Sequence, residues 1–369
     1  MDHAGFVLSR PHRTLVASGV RATYGDIAAA QSALRTGSAT IVVGAIPFRA
    51  EDRCALISPE RHEFHSGPWQ APPDLTPLPR GQVVAESPAP SEHIRVVEKL
   101  LSMVDARILE KVVAARSVLV SCDADIPPLS LLARLVELDH VGNGFCADLS
   151  PAGAPYTDSY LVGASPETLI RREGITVSCW PLAGTAARST DPAVDEARAA
   201  DLLASVKNQH EHAFVVDWMR ARLTPLCREL TIGSTPALFA TPDVWHLGTP
   251  ITGELRDSGT TALDLALAVH PTPAVCGTPH EAAMRAINEH EGSRGFYAGA
   301  VGWCDAAGDG EWMVAIRCAE LRGDNARAFA GGGIVRGSKP HDELAETTVK
   351  LRTLLSAFSA EGEKMLKTT

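Results

Sequence analysis

Four glutamates, two lysines and a run of glycines set out the chemistry open to this chain. Near the C-terminus, Gly331-Gly332-Gly333 leave a strand-like run and precede Glu343, Glu346 and Lys350. At i, i+3 and i+7 these three share one stripe of a helix, beside an apolar stripe of Leu344, Leu351, Leu354, Leu355 and Phe358. Carboxylates at the edge of a buried face, close to bare backbone N–H groups, suit a metal ion and an anionic small molecule held together. Taken alone, the stripe also reads as a solvated helix with salt-bridge spacing.

Other segments offer partners for it. In Lys207-Asn208-Gln209-His210-Glu211-His212 the His-Glu-His order invites zinc. Neighbouring helical residues diverge by about 100°, however, and zinc helices space their histidines four apart. Glu211 as an oxygen ligand facing the final helix is the better functional reading; a solvated helix turn is the plain one. Oxygen ligands without thiolates favour Mg2+, which takes few carboxylates, several waters and an anionic substrate. Gly163-Ala164-Ser165-Pro166-Glu167 turns at the end of a strand. A glutamate set among apolar neighbours has its pKa raised and serves as a general acid. Lys111 stands where a helix gives way to an apolar strand, a setting for a general base, or simply for a helix-terminal lysine meeting the dipole. Gly184 and Thr185 end a strand with backbone and hydroxyl groups to offer. His270 to Ala274 and Ile316-Arg317-Cys318 also read as a turn and a surface arginine.

A sizeable framework must carry these residues. The chain has 369 residues, 45% apolar and 21% charged, which suits a soluble globular protein with a large core. A net charge of −10 leaves no basic footprint for nucleic acid. No apolar run approaches a membrane span and Met1-Asp2-His3 opens no signal peptide, so neither membrane nor export is expected. The eight cysteines form no CxxC pair and read as reduced core thiols of a cytoplasmic protein. Strands are expected at 38–48, 111–120, 144–149, 159–164, 168–172, 175–180, 296–303, 311–319 and 327–335. Helices are expected from Ser91 through Val104, from about Val194 to Cys227 with a break or re-cap, and over 341–358. Seven prolines between Pro68 and Pro90 mark an irregular connector. Strands come in runs instead of alternating with helices, which argues an α+β fold.

In order along the chain stand Lys111-Val112-Val113, Gly163 to Glu167, Pro181 to Thr185, His210-Glu211-His212, His270 to Ala274, Ile316-Arg317-Cys318, and Gly331 to Val335 with Glu343 and Glu346. Together they resemble the chorismate-utilising enzymes over about residues 95–358. The resemblance implies one large α+β domain over residues 1–369, with two stacked antiparallel sheets flanked by helices and the first 90 residues completing the sheets. It implies chorismate as substrate and Mg2+ held by Glu211, Glu343 and Glu346. Lys111 is then the base that activates water for attack at C2, and Glu167 the acid for the departing C4 hydroxyl. Arg317, Tyr297, Lys350 and the backbone at Gly332 and Gly333 are expected to hold carboxylates, and Gly184, Thr185, His270 and Ala274 to line the pocket.

Lys111 stands where ammonia-using members of the family typically have glutamine, and Ala183 replaces the lysine that aminodeoxychorismate synthases use as nucleophile. No effector motif of the anthranilate synthases occurs in the first 90 residues. Water is the expected nucleophile, and a monomer without a glutaminase subunit the expected form. Tyr297 leans toward salicylate synthases. Asn208, lacking their carboxylate, leans away, as do Gly299 to Asp305 and Gly310-Glu311-Trp312, which look like siderophore-type isochorismate synthases. The expected reaction is isomerisation of chorismate to isochorismate for siderophore or menaquinone synthesis. The alternatives are salicylate formation, an anthranilate synthase large subunit, a non-catalytic chorismate-binding protein and, farther off, a zinc hydrolase on His210-Glu211-His212.

Overall fold

Strand alternation sets the layering of the molecule. In Ala4–Ser9, Phe6 and Leu8 enter one apolar core and Val7 the other. The computed structural model describes residues 4–358, and among them two large antiparallel sheets dominate. The ten-stranded sheet carries Lys111–Cys122 beside Asn325–Val335, then Cys318–Arg322, Ser159–Gly163 and Gly144–Asp148, and ends in Ala4–Ser9, Arg13–Ser18 and Arg61–Ser66. The nine-stranded sheet runs from Cys227–Ile232 through Thr176–Cys179, Thr168–Glu173, Gly310–Val314 and Ala300–Asp305 to Ile41–Ile46, Ala55–Ser58 and Ala22–Tyr24. Strands from the first 66 residues thus complete both sheets. The larger core joins the facing sheets and helices Ile27–Thr36 and Ala262–Val269. The second lies on the other face of the ten-stranded sheet, under Pro128–Leu138 and Pro340–Ser356.

Four features depart from the sequence expectation. A third, three-stranded sheet of Leu182–Ala187, Val244–Gly248 and Ala237–Ala240 adds to the expected two. The proline-rich connector contains the strand Gly81–Ser87, which pairs with Lys111–Cys122 in a proline-free stretch. The expected strand at 311–319 is two strands in different sheets, Gly310–Val314 and Cys318–Arg322. Helix Ala262–Val269 escaped notice because apolar residues surround it on all sides, which leaves no amphipathic period to read. The long helical region is re-capped as expected. Pro192–Ala204 and Val206–Leu223 meet at Ser205, whose hydroxyl accepts from the Asn208 N–H. Among the described residues no helix is long and apolar enough to cross a membrane.

Candidate active site

Two chain crossings build one wall of a cavity between the sheets. Residues 164–167 lead from Ser159–Gly163 in the ten-stranded sheet to Thr168–Glu173 in the nine-stranded one. Ala315, Ile316 and Arg317 make the reverse passage, from Gly310–Val314 to Cys318–Arg322. The crossings are bonded to each other. Ala164 N–H donates to the Arg317 carbonyl at 3.0 Å, and Val314 N–H to the Glu167 carbonyl at 3.1 Å. Arg317 adopts a φ of 50°, an unusual left-handed conformation for a side-chain-bearing residue at such a switch. Glu167 is only 3% exposed. Burial pushes its pKa up to about 7, against the Leu182 N–H 3.5 Å from Oε1 and the charges of Lys111, Arg317 and Lys350.

The small sheet orients the arginine. Arg317 Nη2 lies 3.2 Å from His246 Nε2. A guanidinium only donates, so Nε2 accepts and the ring proton sits on Nδ1, 3.1 Å from the Gly184 carbonyl and 3.3 Å from Thr185 Oγ1. Burial, and then Arg317, hold the His246 pKa well below its ordinary value, in keeping with a neutral ring. Gly184 has a φ of 76°, where the register between Leu182–Ala187 and Val244–Gly248 shifts. This bulge turns Gly184 and Thr185 toward the cavity.

The glycines form the opposite wall from within a strand, not from a turn beyond it. Gly331, Gly332 and Gly333 pair with Ala115, Ala114 and Val113. Ala115 N–H goes instead to Glu291, and Val113 N–H to the Cys276 carbonyl. Strand alternation therefore turns Gly331 and Gly333 to the open edge and Gly332 toward Ala114. Gly331 shows this by accepting from Lys350 Nζ at 2.9 Å. A backbone N–H for an anion can come from Gly333 and not, as expected, from Gly332. The missing side chains make room: a Cβ on Gly333 would lie 2.0 Å from Glu211 Oε1, and one on Gly332 3.0 Å from Glu343 Oε2.

Each carboxylate above this floor is held by a lysine. Glu211 lies 3.1 Å from Lys111, Glu343 3.1 Å from Lys207, and Glu346 2.6 Å from Lys350. Burial, then repulsion from Glu346, raises the Glu343 pKa to about 6, against the pull of Lys207 and of the nearby Ser338 hydroxyl. Its Oε2 is buried with no hydrogen-bond partner. Among the described residues no three His, Cys, Asp or Glu side chains are drawn together as a metal cage. Lys111 starts a central strand and is wholly buried, one contact behind Glu211.

Glu167, Gly184, Thr185, Glu211, Ala274, Tyr297, Arg317, Gly333 and Lys350 share this one cavity. Tyr297 stacks flat on Phe329 at 4.9 Å. His270 does not join them. Its Nε2–H donates to the Pro47 and Phe48 carbonyls at 3.0 and 3.1 Å, which turns the ring into the core below strand Ile41–Ile46. His210 and His212 diverge as helix geometry requires: His210 packs on Phe214, and His212 Nε2 lies 2.7 Å from Thr249 Oγ1. Sequence reasoning missed His246 as a site residue. Its one signal was an imidazole inside the apolar run Val244-Trp245-His246-Leu247. Lys207, one helical turn before Glu211, was read only as part of a polar segment.

Known proteins share the sequence and fold of this chain. Residues 37–359 match the family described as chorismate binding enzyme. A Mycobacterium tuberculosis protein provisionally named isochorismate synthase MenF is 50% identical over 365 residues, 96% of each chain. Isochorismate synthase DhbC of Bacillus subtilis is 42% identical, over 96% of this chain and 94% of its own. A Bacillus anthracis crystal structure, provisionally assigned as a 2,3-dihydroxybenzoate-specific isochorismate synthase, superposes with a TM-score of 0.88 at 38% identity, covering 96% of both chains. The chain belongs to the chorismate-binding enzyme family.

Proposed function

We infer that this protein converts chorismate to isochorismate, with Mg2+ as cofactor. Glu167 carries the reading. It is a buried carboxyl that titrates near neutrality, in one cavity with the cationic groups Arg317 and Lys350 and within electrostatic reach of Lys111. A carboxyl with a pKa of about 7 can give up a proton to a leaving hydroxyl at physiological pH. The Lys111 amine takes a proton from water as the water oxygen bonds to ring carbon C2. The ring double bonds shift, the C4–O bond breaks, and Glu167 protonates the departing hydroxyl, which leaves as water. Arg317, set by His246, suits a carboxylate of the substrate, and the Gly333 N–H and Lys350 are placed for further contacts.

The oxygen-only donors and the unpartnered Oε2 of Glu343 fit Mg2+. Glu211, Glu343 and Glu346 would hold it, and when bound it supplies positive charge for a substrate carboxylate. Ala183 at the cavity, in place of a nucleophilic lysine, supports water as nucleophile and so an enzyme that needs no ammonia-supplying subunit. All eight cysteines are free and buried, which supports a reducing, cytoplasmic setting. Asn208 Nδ2 is spent on the Ser205 hydroxyl at 2.9 Å and brings no carboxylate to the site, which supports release of isochorismate over pyruvate elimination. Incubation with chorismate and Mg2+, followed by chromatography, tests the reading. Isochorismate is the expected product; salicylate and pyruvate without a second enzyme, or unconsumed chorismate, overturn it.

A further inference from the structure

Of the three lysines that hold the carboxylates, two have further roles and one does not. Lys111 is locked in a central strand, and Lys350 also binds the Gly331 carbonyl. Lys207 has Glu343 as its single hydrogen-bond partner among the described residues, and its side chain is 37% exposed. It stands at i−4 from Glu211 on helix Val206–Leu223, so its stem runs along the face that carries that carboxylate. One ammonium therefore holds Glu343 from the helix face that also carries Glu211. That is the place a cation shared by them would take, and the unpartnered Glu343 Oε2 is a ligand atom an ammonium on Oε1 leaves unused.

We propose that Lys207 is a built-in counter-ion, which takes the cation position beside these carboxylates in the metal-free protein and swings out toward solvent when Mg2+ enters. The proposal rests on Glu211, Glu343 and Glu346 being the groups that hold the metal. A buried Glu343 without any cation is costly, so the lysine keeps the metal-free fold intact. The same contact opposes metal entry, because the ion pair must break first. A flexible ammonium stem at the first turn of a helix can leave; Lys111, enclosed in the sheet, cannot.

Mg2+ binding to the metal-free protein, followed by calorimetry without substrate, tests this directly. Lys207→Met is expected to bind Mg2+ about tenfold tighter than wild type, within the usual range of coupling between sites. Lys207→Arg, which keeps the charge, is expected to bind no tighter. Metal-free Lys207→Met should also melt lower than wild type and regain more Tm on adding Mg2+. A readout on the wild-type chain does not depend on any variant folding. Mg2+ should raise acylation of Lys207 several-fold, scored by peptide mass spectrometry. Equal or weaker Mg2+ affinity in Lys207→Met, or Lys207 labelling indifferent to Mg2+, overturns the proposal. If no form binds Mg2+ at millimolar concentration, the metal reading itself fails and takes this proposal with it.

Discussion

The two walls of the cavity are held in different ways. At the crossings, main-chain bonds between Ala164 and Arg317 and between Val314 and Glu167 fix the backbone that carries the acid and the anion holder. Across from them, Glu211, Glu343 and Glu346 are each held by a lysine side chain. A backbone bond sets position without using the functional side chain, so Glu167 stays free to titrate. A side-chain ion pair consumes the charge it positions, and the pair must exchange when a ligand arrives. The first wall is built for fixed chemistry, the second for exchange.

If that contrast is right, the largest loss of turnover should come from Glu167 and Lys111. Glu167→Gln and Lys111→Gln are each expected to lower kcat by about 10²–10⁴-fold, the usual worth of a general acid or base. Glu167 also makes a stability prediction of opposite sign. Its folded pKa, about 7, lies above the ordinary 4.5. Between those values the folded chain keeps a proton that the unfolded chain has lost, so stability falls as pH rises through that window and levels off above it. Glu167→Gln removes this penalty. At pH 8 it should be more stable than wild type by on the order of 2 kcal/mol, with the gap closing at pH 5. Urea denaturation at the two pH values measures both, and a Glu167→Gln protein no more stable at pH 8 than wild type would contradict the buried, raised carboxyl.

On the exchanging wall, glycine substitutions separate floor positions that share a sequence run. In Gly333→Ala the new Cβ meets Glu211 Oε1 at 2.0 Å and comes within 3.3 Å of Lys111 Cε. The closer of the two is the end of a flexible side chain, so Tm should change little while kcat falls about 10–100-fold through misplacement. Gly332→Ala meets Glu343 Oε2 at 3.0 Å and everything else at ordinary van der Waals distance, and should cost less. Equal effects of the two substitutions on steady-state rates would erase the distinction between their facings.

The same contrast explains what the sequence showed. The final helix was legible because Glu343, Glu346 and Lys350 follow a 3.6-residue period with an apolar stripe beside it. Glu211 and the re-capped helix at Ser205 were legible for the same local reason. The crossing at Ala315–Arg317 was not. No glycine or proline marks it, and 311–319 reads as one apolar strand, yet Arg317 leaves strand geometry with a φ of 50°. What breaks the strand is a partner far away in sequence, the crossing at 164–167, and no local pattern carries that information. His246 and Lys207 stayed hidden likewise, since each matters through a side chain brought from another segment, Arg317 in one case and Glu343 in the other.

Smaller effects come from the two histidines, and here the contrast is sharpest. His246 acts on the fixed wall through Arg317. His246→Ala frees the guanidinium and leaves the Gly184 carbonyl without its donor, so KM for chorismate should rise about tenfold, the worth of a hydrogen bond to a charged group, with kcat less affected. His270 was expected in the pocket, but its ring ties Pro47 and Phe48 to the loop after helix Ala262–Val269. His270→Ala leaves two buried carbonyls unpaired and should cost about 1–3 kcal/mol of stability. Its ring bonds carbonyls outside the cavity lining, so KM should stay within twofold of wild type below the lowered Tm. Steady-state kinetics and thermal melts on both variants decide it: a KM effect in His270→Ala as large as that in His246→Ala would return His270 to the pocket and undo the division between residues that build the cavity and residues that only hold the sheet beneath it.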